Sequence, residues 1–143
     1  MPGLSLEIVT AERHVLSDDD VDQVTAPAAD GQITILPRHA SLIALLQPGE
    51  LRVRKRGVDT AYAITGGFLE VHRSRVRILA DAAEYAEEID LERAHAAEQR
   101  ARALMANRAQ LTPIDFAAAA AALRRSQVRL RVGRRRRTEG PTG

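Results

Sequence analysis

At 143 residues, with 45% hydrophobic side chains but only 3% aromatic and neither Trp nor Cys, the chain has the length for one ordinary domain, or for a small domain with an appendage around an aliphatic, alanine-rich core. A large multidomain enzyme, a disulfide framework and a thiolate metal site are excluded, and no run approaches the roughly 20 apolar residues of a membrane span. The net charge of +2 conceals an asymmetry, since residues 1–123 carry 13 basic and 18 acidic side chains while residues 124–143 carry eight Arg and one Glu, a tail suited to an anionic surface.

The first residues, "MPGLSLEIVT", lack the basic start and apolar core of a signal peptide, which fits a cytosolic chain. Within them Leu4, Leu6 and Ile8 alternate with Ser5, Glu7 and Val9, the period of a half-buried strand. "VDQVTAP" is expected to stop at Pro27, "ADG" to turn, and "QITIL" to end at Pro37. "PGELRVRKRG" reads as a strand closing at Gly57, "TAYAIT" and "FLEVH" as two strands broken at Gly66-Gly67, and "VRILAD" as another after a turn at "RSR". Short strands at this spacing predict a small antiparallel sandwich or barrel rather than alternating strands and helices.

After Ile89 the period changes. Ala94, Ala97, Ala101 and Leu104 recur as the stripe of a helix. Thr112 as cap, Pro113 at the first helical position and Asp115 start a second helix, which Phe116, Leu123 and Leu130 follow through six alanines, with Gly133 as its expected stop. Only "NRAQL" separates the two, so they should form an antiparallel hairpin. Alanine is the best helix former, yet its methyl buries little, so the hairpin should be firmly helical and weakly docked. The expected domains are a β-sandwich over 1–87, a helical hairpin over 88–133 and a disordered basic tail over 134–143. The class is α+β.

Catalytic chemistry is missing. There is no phosphate-binding glycine loop, and His14, His39, His72 and His95 lack metal-ligand spacing. "SDDD" at 17–20 reads as a solvated strand edge rather than a calcium loop. The basic tail alone would suit nucleic acid, but the four aromatics offer no stacking platform between arginines. A metal-dependent sandwich enzyme would need convergent histidines that the strands do not supply.

Taken together, "DGQITILPRHASLIALLQPGELRV", "AITGGFLEV", "VRILADAAEYAEEID" and "IDLERA" resemble the epsilon subunit of bacterial F-type ATP synthases, over about residues 4–132. The resemblance implies a non-catalytic subunit of the central stalk that couples proton flow through the c ring to ATP synthesis, at the cytoplasmic face of the bacterial plasma membrane. Implied partners are the gamma subunit and the c ring, with Pro37, Arg38 and His39 at the rotor interface, and membrane contact only through the complex. When its hairpin extends, such a subunit also meets the catalytic alpha/beta head and blocks ATP hydrolysis. No cofactor is required, but ATP is implied as a regulatory ligand: "I-D-x-x-R-A" stands here as Ile89, Asp90, Arg93 and Ala94, and Glu84, Arg100, Arg125 and Arg129 fall at matching positions. Against this stands the plainer reading that Asp90 caps the helix and pairs with Arg93 at i+3. Arg38 stands where the family often has Gly, Thr34 lies near a further small position, and Tyr85 stands where a basic residue can occur.

Overall fold

The computed structural model describes residues 3–138, which divide after Tyr85 into two compact units. In the first unit eight strands form one continuous sheet folded on itself: β1 (Leu4–Val9), β2 (His14–Val21), β3 (Gln23–Ala28), β4 (Gly31–Ile35), β5 (Leu42–Lys55), β6 (Val58–His72), β7 (Arg75–Ala80) and β8 (Ala83–Tyr85). Their order is β2-β1-β7-β6-β5-β3-β4, with β8 on β6. Every pairing is antiparallel except β1 with β7, which run parallel. The expected antiparallel sandwich is present, with one parallel pair in it.

Two long strands build both layers. The half of β6 that follows Gly66 pairs with β7, while Tyr62 to Ile64 pair with β8, and β5 accompanies it from Leu42 to Lys55. The sequence places a break at Gly66-Gly67, but β6 runs through it, while β3 ends at Ala28, one residue past the expected stop at Pro27. Gly67 shows why the chain needs glycine there without stopping: its φ is 129°, and an added Cβ would lie 2.1 Å from the Leu79 carbonyl oxygen. The side chains between the layers are aliphatic, with Leu6, Ile8, Leu51, Ile64, Leu69 and Ile78 almost wholly removed from water.

The turns follow their residue chemistry. Arg56-Gly57 and Arg73-Ser74 both have two consecutive positive φ angles, the conformation that joins tightly twisted hairpins. "SDDD" lies on β2, the edge strand, as expected; Asp18 is tied to Lys55, its two oxygens each 2.9 Å from Nζ, and Ser5 donates to Asp19.

The second unit begins with a 3-10 turn at Ala86–Glu88, followed by α1 (Leu91–Ala106), a second such turn at Arg108–Gln110, and α2 (Pro113–Thr138). Thr112 caps α2 as expected, its hydroxyl accepting from the Asp115 amide at 3.1 Å. On α1 the stripe is buried at Ala94 and Ala101, but Leu104 is 53% exposed and Met105 is the more covered residue. A step of four rather than three from Ala101 keeps the same face at about 100° per residue.

Gly133 does not stop α2, which continues to Thr138. The position is not a cap but a close approach: a Cβ there would stand 2.7 Å from Leu91 Cδ2 and 3.2 Å from Ile89 Cγ2. One interior glycine costs a helix only about 1 kcal/mol, and the arginines that follow are good helix formers at the negative end of the helix dipole. Arg134 to Thr138, expected as part of a disordered tail, are therefore helical; residues 139–143 lie outside the described residues.

Candidate functional site

In the helical unit the site begins at Asp90. This residue is the N-cap of α1, and its carboxylate accepts from the backbone amide of Arg93 at 3.1 Å. The cap predicted from the sequence is present, and the bond is to the Arg93 main chain, which leaves its exposed guanidinium outside that bond.

Two close approaches fix how the helices face each other: Gly133 against Ile89 and Leu91 at the base, and Arg108 against Phe116 at the tip, where the guanidinium lies 4.8 Å from the ring centroid. Arg93 and Arg100 are seven apart and share one side of α1, while Arg125 and Arg129 are four apart and share one side of α2. Wound antiparallel about those two points, both pairs fall on the same flank of the hairpin, with Arg129 about level with His95 and Arg125 with Gln99. Arg93, Arg100 and Arg125 are exposed and Arg129 is half-buried. Such a flank has the charge and the fork-shaped donors to bind a polyphosphate.

The other matched residues take different positions. Ile89 is buried beneath Gly133 and Ala94 has no exposed surface, so both serve the packing of the two helices rather than opening onto solvent. Glu84 belongs to the sandwich unit, on β8 opposite Ala63. Tyr85, next to it, lays its ring 5.5 Å from that of Tyr62.

On the sandwich, Pro37, Arg38 and His39 form the loop between β4 and β5. Arg38 has a φ of 64°, in the left-handed region where glycine fits without strain, and its amide donates to the Ser74 hydroxyl at 2.8 Å. The His39 amide donates to the Leu36 carbonyl and its Nδ1 lies 2.7 Å from the Ala40 carbonyl oxygen. The loop borders a cleft of about 880 Å³ lined by both charge signs, Asp19, Asp20 and Asp22 together with Arg38, Arg73 and Arg75.

A second surface lies on the outer face of the sheet. Leu46 points inward at 4% exposure, but Ile43 and Leu45 are 75% and 55% exposed. Strand pairing sets Leu45 beside Phe68, Phe68 beside Leu79 and Leu79 beside Val9, a row across four strands in which Phe68 and Leu79 are also about half exposed. The adjacent row places Ile43, Glu70, Arg77 and Glu7 side by side, with Arg77 Nε 3.3 Å from Glu7. An apolar centre beside a charged rim is the build of a protein interface. Alternation in β5 hinted at it, but only the pairing joins Phe68 and Leu79 to the row.

Among the described residues no group of His, Asp and Glu is placed to hold a metal ion, and no helix is long and apolar enough to cross a membrane. The family model for the β-sandwich domain of the ATP synthase delta/epsilon chain matches residues 3–86, and that for its long α-helix domain matches residues 87–133. The ATP synthase epsilon chain of Herpetosiphon aurantiacus is 54% identical over 134 residues, spanning 94% of this chain and 96% of that one. That of Symbiobacterium thermophilum is 48% identical over 131 residues, spanning 92% and 93%. Among solved structures, a chain of the Euglena gracilis mitochondrial ATP synthase, in an OSCP/F1/c-ring assembly, superposes with a TM-score of 0.77 at 26% identity, covering 87% of this chain and 78% of that one. A chain of the Tetrahymena thermophila central stalk and c ring, at 17% identity and a TM-score of 0.61 over 91% and 96% of the two chains, shares the fold.

Proposed function

The chain belongs to the delta/epsilon family of F-type ATP synthases as an epsilon chain, a subunit other than the catalytic one, and on that premise we propose that it couples the rotating stalk to the c ring and brakes ATP hydrolysis with its hairpin. The observation that carries the coupling role is the exposed row of Leu45, Phe68 and Leu79 with Ile43 beside it. A surface of that kind on a small sandwich is stable when a partner covers it. The gamma subunit is the partner proposed for this face, and the loop Pro37, Arg38, His39 completes the rotor interface with gamma and the c ring. The resulting location is peripheral, on the cytoplasmic face of a bacterial plasma membrane, with the membrane reached only through the complex.

The hairpin supplies the brake. Many of its buried positions are small, Ala94 and Ala101 on α1 with Ala119 and Ser126 on α2, beside the larger Val128, Leu130 and Val132, so opening the hairpin exposes less apolar surface per residue than a leucine-packed pair would. In the extended form α2 would carry its arginines toward the catalytic alpha/beta head. ATP is the proposed ligand of the folded form, bound by the flank of Arg93, Arg100, Arg125 and Arg129 with Asp90 contributing an acceptor, and a ligand that prefers one form stabilises it by mass action. Deleting residues 112–143 tests the brake: the assembled complex should hydrolyse ATP several-fold faster with its assembly intact. An unchanged rate in a normally assembled complex removes the inhibitory role, and failure of the full chain to co-purify with gamma removes the stalk role.

A further inference from the structure

Alternation along β5 and β6 turns Ile43, Leu45, Phe68 and Glu70 to the outer face, where pairing sets Glu70 beside Ile43 on one side and Arg77 on the other. Arg77 is engaged by Glu7, so the row of Ile43, Glu70, Arg77 and Glu7 carries two carboxylates for one guanidinium. Glu70 is exposed and makes no hydrogen bond or ion pair among the described residues. It lines a depression of about 400 Å³ together with Ile43, Ser41 and His72, the last two joined by a bond of 3.3 Å from hydroxyl to Nδ1. Two positions along β6 lies Phe68, in the middle of the apolar row.

We infer that Glu70 and Ile43 form a socket for a basic side chain, a lysine or arginine of the gamma segment that covers the Leu45, Phe68, Leu79 row. The inference rests on the reading of this face as the gamma interface and names the group that gamma brings to it. A partner that covers Phe68 also takes water from Glu70, and a carboxylate stripped of water without a donor is costly, so the covering segment must supply one. Lysine and arginine combine an apolar stem with a charged head. Ile43, 75% exposed, offers surface to the stem, and Glu70 offers its free oxygens to the head. The depression between them gives the side chain room. An anionic or wholly apolar segment would leave Glu70 repelled or unpaired, so the same residue selects the partner as well as holding it.

Affinity of the full chain for purified gamma tests the socket through the sign of the change. Glu70→Gln and Glu70→Leu should each weaken binding about tenfold or more, because both leave the partner's cation without its carboxylate, and Glu70→Lys should weaken it further. All three should leave the melting temperature nearly unchanged, since Glu70 is exposed and holds nothing in the free chain. If Glu70 merely loses its water at the interface, removing its charge relieves that cost, so Gln or Leu variants that bind as tightly as the parent or more tightly overturn the socket. Phe68→Glu separates the socket from the reading beneath it. Weakened binding by Phe68→Glu with Glu70→Gln unaffected keeps the apolar row as the gamma interface and removes the socket, whereas unchanged binding by both variants removes gamma from this face and the socket with it. A dimer of the chain alone that Glu70→Gln dissolves would give the socket to a second copy and overturn its assignment to gamma.

Discussion

Asp18 shows how one residue ties the edge of the sandwich. Its hydrogen bonds to Lys55, and then to the Asp20 amide, hold its carboxyl below the ordinary value of 3.8, and Arg54 does the same for Asp59. A carboxylate whose folded pKa is depressed contributes stability that is present above the unfolded value and is lost as pH falls through the folded one. Asp18→Asn should therefore lower urea resistance at neutral pH, and the gap from the parent chain should close as pH drops below 3.8. A gap that stays constant into acid would assign the effect to something other than the charge. Arg38 tests strain instead: Arg38→Gly at a φ of 64° should raise stability by about 0.5–1 kcal/mol, measured by thermal or urea unfolding.

At the scale of the element, α1 separates two roles that the sequence alone leaves fused. Asp90 caps the helix through the Arg93 backbone amide, which any residue at position 93 except proline supplies. Asp90→Ala should then cost about 1 kcal/mol of stability as well as any nucleotide affinity, whereas Arg93→Ala should leave stability within about 0.5 kcal/mol. Isothermal titration with ATP alongside unfolding curves distinguishes them. If Arg93→Ala leaves ATP affinity intact, "EEIDLERA" is a helix start only. The tip of the hairpin has its own clasp, since Arg108 over Phe116 spans the turn between the helices.

For the whole molecule, the decisive surface is the outer face of the sandwich. Phe68 is 54% exposed and shares its row with Leu45 and Leu79, so Phe68→Glu should leave the melting temperature nearly unchanged. The same change should weaken co-purification with gamma by about tenfold or more, as expected when a central aromatic contact of an interface is replaced by a charge. A chain that melts lower but binds normally would return Phe68 to a structural role.

Much of this protein follows from local sequence alone: the change of period at Ile89, the caps Asp90 and Thr112, the punctuated strands of the first unit and the motif that links the chain to its family. Those signals are legible because capping, turn formation and amphipathic period depend on residues a few positions apart. The tertiary structure decided the rest. Gly66-Gly67 marked a break where β6 runs on, because pairing with neighbours on both sides outweighs the local preference to turn. Gly133 read as a stop and is a seat, since its purpose is set by Leu91 and Ile89, more than forty positions earlier in the chain. The exposed row and the arginine flank likewise depend on which strand lies beside which and how two helices face, and no window of sequence contains both partners.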